Sequence, residues 1–116
     1  YFARVWELLS GPRYPMDHET AQRLGDLAFT RGIEPAASAR QFAAIITTGS
    51  RKGRLASIAV PTLVIHGSED PLVPVEGGVD TARSIPGSRL MIMDGMGHYV
   101  PRQLWAGIID AIVENA

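Results

Sequence analysis

Two short apolar, β-branched runs, each followed by a helical pattern, constrain this chain more than any other feature. Val60-Pro61-Thr62-Leu63-Val64-Ile65-His66-Gly67 is compact and closes on a turn signal, which predicts a strand buried on both faces. Pro61 sits near its start, where no ladder donor is needed. Arg89-Leu90-Met91-Ile92-Met93-Asp94 predicts a second strand. Between them, Ser68 to Pro74 reads as a polar, proline-punctuated loop. Val75, Val79, Ala82 and Ile85 then mark an amphipathic helix stopped by Pro86-Gly87. Leu104, Trp105, Ile108, Ile109 and Ile112 give a final helix with a broad apolar face. Strands alternating with helices predict a parallel pair joined by a right-handed crossover. Parallel sheets persist with several strands and helices on both faces. Two strands fall short of that, so the chain is expected to be an incomplete α/β fold, the C-terminal portion of a larger protein. Its first residues, Tyr1-Phe2-Ala3-Arg4, show neither an initiator Met nor a signal-peptide pattern, which fits a processed or truncated chain.

The residues before this βαβα part follow helical spacing instead. Phe2, Val5, Trp6 and Leu9 fit a short helix ending at Ser10-Gly11-Pro12. A second starts near Asp17 as N-cap, carries Ala21, Leu24, Leu27 and Ala28 on one face, and ends at Arg31-Gly32. A third runs from about Ala36 to Thr48, with Ala39, Phe42, Ala43 and Ile46 as its expected buried stripe and Gly49-Ser50 closing it. Arg51, Lys52 and Arg54 read as a solvated helix end or loop. The expected division is a helical segment over residues 1–57 and an α/β part over 58–116.

Charge and composition remove several classes of function. Eleven Lys and Arg against twelve Asp and Glu leave a net charge of −1, with no electrostatic footprint for nucleic acid or an anionic membrane. The longest apolar stretch, Leu55 to Ile65, is broken by Ser57, Pro61 and Thr62 and falls short of the roughly 20 residues that span a bilayer. There is no cysteine, so disulfides and thiolate metal sites are excluded while the compartment stays open. The three histidines are far apart and form no i, i+4 pair, which leaves metal binding little support. Gly77-Gly78 follows no strand and lacks the Lys-Ser/Thr of a phosphate loop.

In open α/β sheets, functional groups gather at the carboxyl ends of the strands. Asp70 lies in the loop after the first strand and His98 in the loop after the second, framed by Gly95 and Gly97. On neighbouring strands both loops open at one rim. The carboxylate then accepts from imidazole Nδ1–H, fixes the tautomer and stabilises the imidazolium during proton transfer. Simpler roles compete with this one: an Asx-turn before Pro71 for Asp70, an ordinary loop histidine for His98. Asp94 also ends a strand and is a second candidate acid, though a turn-shaping role suits it better. Glu69 is read as solvated, His66 as a satisfied structural histidine, and His18 as exposed. Met91, Met93 and Met96 read as core or pocket filler, and Tyr99 and Trp105 as pocket lining or core.

Pro61-Thr62-Leu63-Val64-Ile65-His66-Gly67, then Asp70 and Val73-Pro74, then Gly95-Met96-Gly97-His98 resembles the closing half of an α/β-hydrolase over about Val60 to Ala116. The resemblance implies that Asp70 is the triad acid and His98 the triad base, that residues 1–57 form the cap, and that no cofactor is required. Ser10-Gly11-Pro12-Arg13-Tyr14-Pro15, Arg31-Gly32 and Arg40-Gln41 make the chain look most like bacterial carboxylesterases related to anthracycline methyl-esterases. It departs from the family at the nucleophile. None of Ser10, Ser38, Ser50, Ser57, Ser68, Ser84 or Ser88 stands in G-x-S-x-G on a strand-to-helix turn. Ser50, in Gly49-Ser50-Arg51-Lys52-Gly53, comes nearest but has the wrong spacing. The expectation is therefore a hydrolase of small-molecule esters whose nucleophile and oxyanion donors lie in a partner segment, the N-terminal half of the same enzyme. An aspartate nucleophile, as in dehalogenase relatives, and a non-catalytic binding module of the same origin remain alternatives. Acyl transfer through His98 requires neutral imidazole, so activity is expected to fall at acidic pH.

Overall fold

The structure, a computed structural model, describes residues 2–32 and 34–116, apart from the side chains of Phe2 and Pro35. The place of Phe2 on the first helix's stripe thus lies outside the described residues. Three helices come first: α1 (Phe2–Ser10), α2 (His18–Thr30) and α3 (Pro35–Thr48). A single turn, α4 (Lys52–Leu55), leads into β1 (Leu63–Gly67), α5 (Val75–Ser84) and β2 (Arg89–Met93). A 3₁₀ turn (Arg102–Leu104) and α6 (Trp105–Asn115) close the chain.

Local chemistry explains most boundaries. Asp17 caps α2 by accepting the Thr20 N–H at 2.8 Å. Gly32 and Gly49 take φ of 90° and 66° where α2 and α3 end, and Gly87 takes 72° in the turn before β2. The basic cluster forms α4 rather than open loop, and Lys52 Nζ pairs with Asp80 Oδ1 at 2.7 Å. β1 begins at Leu63, three residues later than the sequence predicts. Thr62 still contributes a carbonyl that accepts the Arg89 N–H at 2.9 Å.

The two strands pair in parallel, from Leu63 opposite Arg89 to Gly67 opposite Met93. α5 packs on both strands, α6 on β1, and α1 on α2. Met93, Met96, Ile85 and Ala111 are buried at the α/β end, and Ala21 and Met16 at the helical end. Met91 stays half-buried in the middle of β2.

Two expectations of burial fail for one reason, and two further apolar faces are open with them. β1 is only half-buried over Leu63 to His66, because β2 is its one strand partner among the described residues. The α3 stripe is open, with Phe42 65% and Ile46 63% exposed, and no described element packs substantially on that helix. On α2, Leu27 faces solvent although Ala21 and Gly25 are buried. α6 likewise presents Ile109, Ile112 and Val113 outward. Periodicity makes these faces apolar, but burial needs a second surface. The whole chain exposes 8182 Å², against roughly 6,200 Å² for a compact monomer of this mass. Its radius of gyration is 16.1 Å, where about 13 Å is usual near 100 residues.

Candidate active site

Both strands end at the same rim, and their loops interlock there. Ser68 N–H donates to the Met93 carbonyl at 3.0 Å, Glu69 N–H to the Met96 carbonyl at 3.0 Å, and Gly95 N–H to Ser68 Oγ at 2.8 Å. Glycine makes the approach possible. A Cβ on Gly67 would overlap the Met96 carbonyl oxygen, and Gly95 turns the chain at φ 73°. The α1–α2 corner holds the loop from the other side. His98 N–H donates to the Leu9 carbonyl at 2.7 Å, and a Cβ on Gly97 would lie 2.5 Å from Leu9 O and Ser10 O. Ser10 is fully buried in that corner. Its hydroxyl donates to the Glu7 carbonyl at 2.7 Å and accepts the Met16 N–H at 3.0 Å.

This frame brings Asp70 and His98 together. His98 Nδ1 stands 2.8 Å from Asp70 Oδ2. Oδ1 of the same carboxylate accepts the Leu72 and Val73 N–H groups at 2.8 and 2.9 Å. The Asx-turn and the imidazole contact thus occur in one residue, one oxygen each. Burial pushes the Asp70 carboxyl up. Hydrogen bonds from the Val73 amide, the His98 ring and the Leu72 amide, in that order, outweigh it and hold the group below the ordinary aspartate range. An ionised carboxylate accepts only, so His98 carries its proton on Nδ1 and presents Nε2 as the basic nitrogen. The Asp70 side chain is 6% exposed and that of His98 40%, so the carboxylate is sheltered while the imidazole stays reachable.

Asp70 and His98 border an apolar cleft of about 270 Å³ walled by Ile65, Met96, Val100 and Ile108. A second cleft of about 250 Å³ lies between Tyr14, Arg102 and Trp105. Along residues 98–101 the side chains alternate between the two: His98 and Val100 line the first, Tyr99 and Pro101 the second. Tyr99 and Trp105 therefore line a pocket, but not the one beside the imidazole. Tyr99 also meets Trp6 edge-on at 6.5 Å.

The remaining candidates stay apart. Asp94 is exposed and paired with Arg13, away from the His98 ring. His18 is exposed and sits 3.0 Å from Glu7 Oε1, and Glu69 is exposed. Among the described residues, no cluster of three or more His, Asp or Glu side chains is arranged to hold a metal. No described helix is long and apolar enough to cross a membrane. Sequence reasoning missed the Leu9 carbonyl and Ser68 hydroxyl as anchors of the His98 loop. A backbone carbonyl leaves no trace in residue identity, and Ser68 is one serine among several.

The chain belongs to the family defined by the alpha/beta hydrolase fold: residues 7–101 match that family's model. Over 46 residues it is 39% identical to 2-hydroxy-6-oxononadienedioate/2-hydroxy-6-oxononatrienedioate hydrolase 2 of Pseudomonas putida. That stretch covers 40% of this chain and 16% of the P. putida protein.

Proposed function

We propose that this chain is the acid–base portion of a serine hydrolase acting on carboxylic esters. In this reading Asp70 is the acid and His98 the base, and the nucleophile and oxyanion donors come from residues outside these 116. The observation that carries the reading is the 2.8 Å contact between His98 Nδ1 and a carboxylate oxygen whose partner oxygen is anchored by two amides. Serine attacks the ester carbonyl while His98 Nε2 takes its proton. The imidazolium then protonates the leaving alcohol, and water attacks the acyl-enzyme with His98 again as base. Asp70 holds the tautomer and the ring direction throughout.

Residues 1–57 act as the cap and 58–116 as part of the core. The N-terminal half of the same hydrolase covers the unpaired β1 edge and the open α3 and α6 faces. The excess exposed surface supports that arrangement. The resemblance of the Ser10-to-Pro15 run, Arg31-Gly32, Arg40-Gln41 and Gly95-Met96-Gly97-His98 to bacterial carboxylesterases related to anthracycline methyl-esterases makes methyl esters the first class to assay. The named substrate of the P. putida relative, a hydroxy-oxo dioate, is the second class to assay.

Short-chain p-nitrophenyl esters provide the test. The 116 residues alone are expected to give no turnover above free imidazole. The longer natural product of the reading frame is expected to turn over and to lose activity with His98→Ala. Inhibitor-sensitive hydrolysis by the 116 residues alone would refute the placement of the nucleophile. Full turnover in His98→Ala would refute the role of the base.

A further inference from the structure

His66 occupies the penultimate position of β1, and its side chain is 13% exposed. Its Nε2 stands 2.9 Å from the Val73 carbonyl oxygen. A carbonyl only accepts, so Nε2 bears the proton and donates. The N–H of the same Val73 donates to Asp70 Oδ1 at 2.9 Å, and Asp70 Oδ2 meets His98 at 2.8 Å. Three hydrogen bonds in series therefore run from one imidazole to the other. His66 Nε2 is 3.8 Å from Asp70 Oδ2, beyond hydrogen-bond reach, so the hydrogen-bonded route from its ring to the carboxylate runs through Val73.

The turn's own amides are already in use. Pro71 and Pro74 have no N–H, and the amides between them, Leu72 and Val73, are both committed to Oδ1. The Val73 carbonyl then ties the turn to the strand through the His66 ring. α5 is shaped around the ring that does so. A Cβ on buried Gly78 would lie 2.7 Å from His66 Cβ, Cγ and Nδ1, closer than side chains approach.

We propose that His66 is a positioning residue for the acid: its Nε2–H fastens the Val73 carbonyl and so fixes the Asp70 carboxylate against His98. The proposal rests on the reading of Asp70 and His98 as acid and base. The test uses the full natural product of the reading frame with two readouts, hydrogen exchange at the Leu72 and Val73 amides and steady-state kinetics on a p-nitrophenyl ester. His66→Phe is expected to speed exchange at both amides. It lowers kcat by about 10- to 100-fold, as small displacements of a catalytic group do. His66→Gln keeps an N–H donor and is expected to restore both readouts. Gly78→Ala, which displaces the ring without removing it, reproduces the loss and decides the matter where His66→Phe fails to fold. Unchanged exchange and kcat in His66→Phe, or failure of His66→Gln to rescue, overturns the proposal. His98→Ala separates the two levels. Full turnover there overturns the acid–base pair, whereas its inactivity beside an indifferent His66→Phe overturns the role of His66 alone.

Discussion

Gly97→Ala tests whether the grip of the α1–α2 corner on the His98 loop matters. A Cβ at this position would lie 2.5 Å from Leu9 O, Ser10 C and Ser10 O, all backbone atoms. Ordinary van der Waals contact begins near 3.4 Å, so loop and helix end must separate by about 0.9 Å, since carbon and oxygen cannot interpenetrate at that depth. That separation also stretches the 2.7 Å hydrogen bond from His98 N–H to the Leu9 carbonyl. Overpacking of this kind costs about 1–3 kcal/mol, and the weakened hydrogen bond adds about 0.5–1.5 kcal/mol. Under the proposed role of His98 as base, a displacement of nearly 1 Å costs on the order of 100-fold in kcat. Thermal unfolding and p-nitrophenyl ester kinetics on the full natural product measure both effects. Gly53→Ala is the control: nothing lies within 4 Å of its Cβ. That substitution is expected to be neutral, or stabilising by about 0.4–1 kcal/mol through the unfolded state. A Gly97→Ala protein with unchanged Tm and kcat would refute the argument that this contact seats the imidazole.

Other substitutions probe the same architecture. Ser10→Ala leaves the buried Met16 N–H without its 3.0 Å acceptor and is expected to cost about 1–3 kcal/mol in chemical denaturation. Asp70→Asn keeps an acceptor for the two amides but removes the charge facing His98, and kcat of the full natural product is expected to fall by about 10⁴-fold. The lowered Asp70 pKa sets the sign of a pH effect. Its stabilising contribution is complete above the ordinary aspartate range and is lost as pH falls through the depressed folded-state value. Tm curves of wild type and Asp70→Asn should therefore differ near neutrality and converge in acid; a gap that widens on acidification contradicts this. Phe42→Ser on the open α3 face should change the stability of the 116-residue chain by less than about 0.5 kcal/mol, as its 65% exposure implies.

The rim of the site was legible because it depends on residue types with special conformational demands. Gly95 at φ 73°, the Asp17 cap and the Asp70 turn before Pro71 are each written in one side chain or its absence. The parallel pairing followed from the alternation of strands and helices. Burial was legible only in part. The spacing of Phe42 and Ile46 identifies an apolar face correctly, yet it holds no information about what lies opposite. The same limit applies to β1, whose Val64 and Ile65 read as a central strand while the described residues supply a neighbour on one edge. Contacts that end on main-chain atoms were illegible for a different reason. The Leu9 and Val73 carbonyls act through position, and every residue has one.

The hand-off from Leu9 to His98 has a practical consequence for anyone recombining such enzymes. Residues 9–11 carry the seat of the His98 loop although they sit in the helical portion. A chimera that exchanges residues 1–57 as a block inherits a foreign perch for its imidazole. One that grafts new helices only beyond Met16 keeps the native seat.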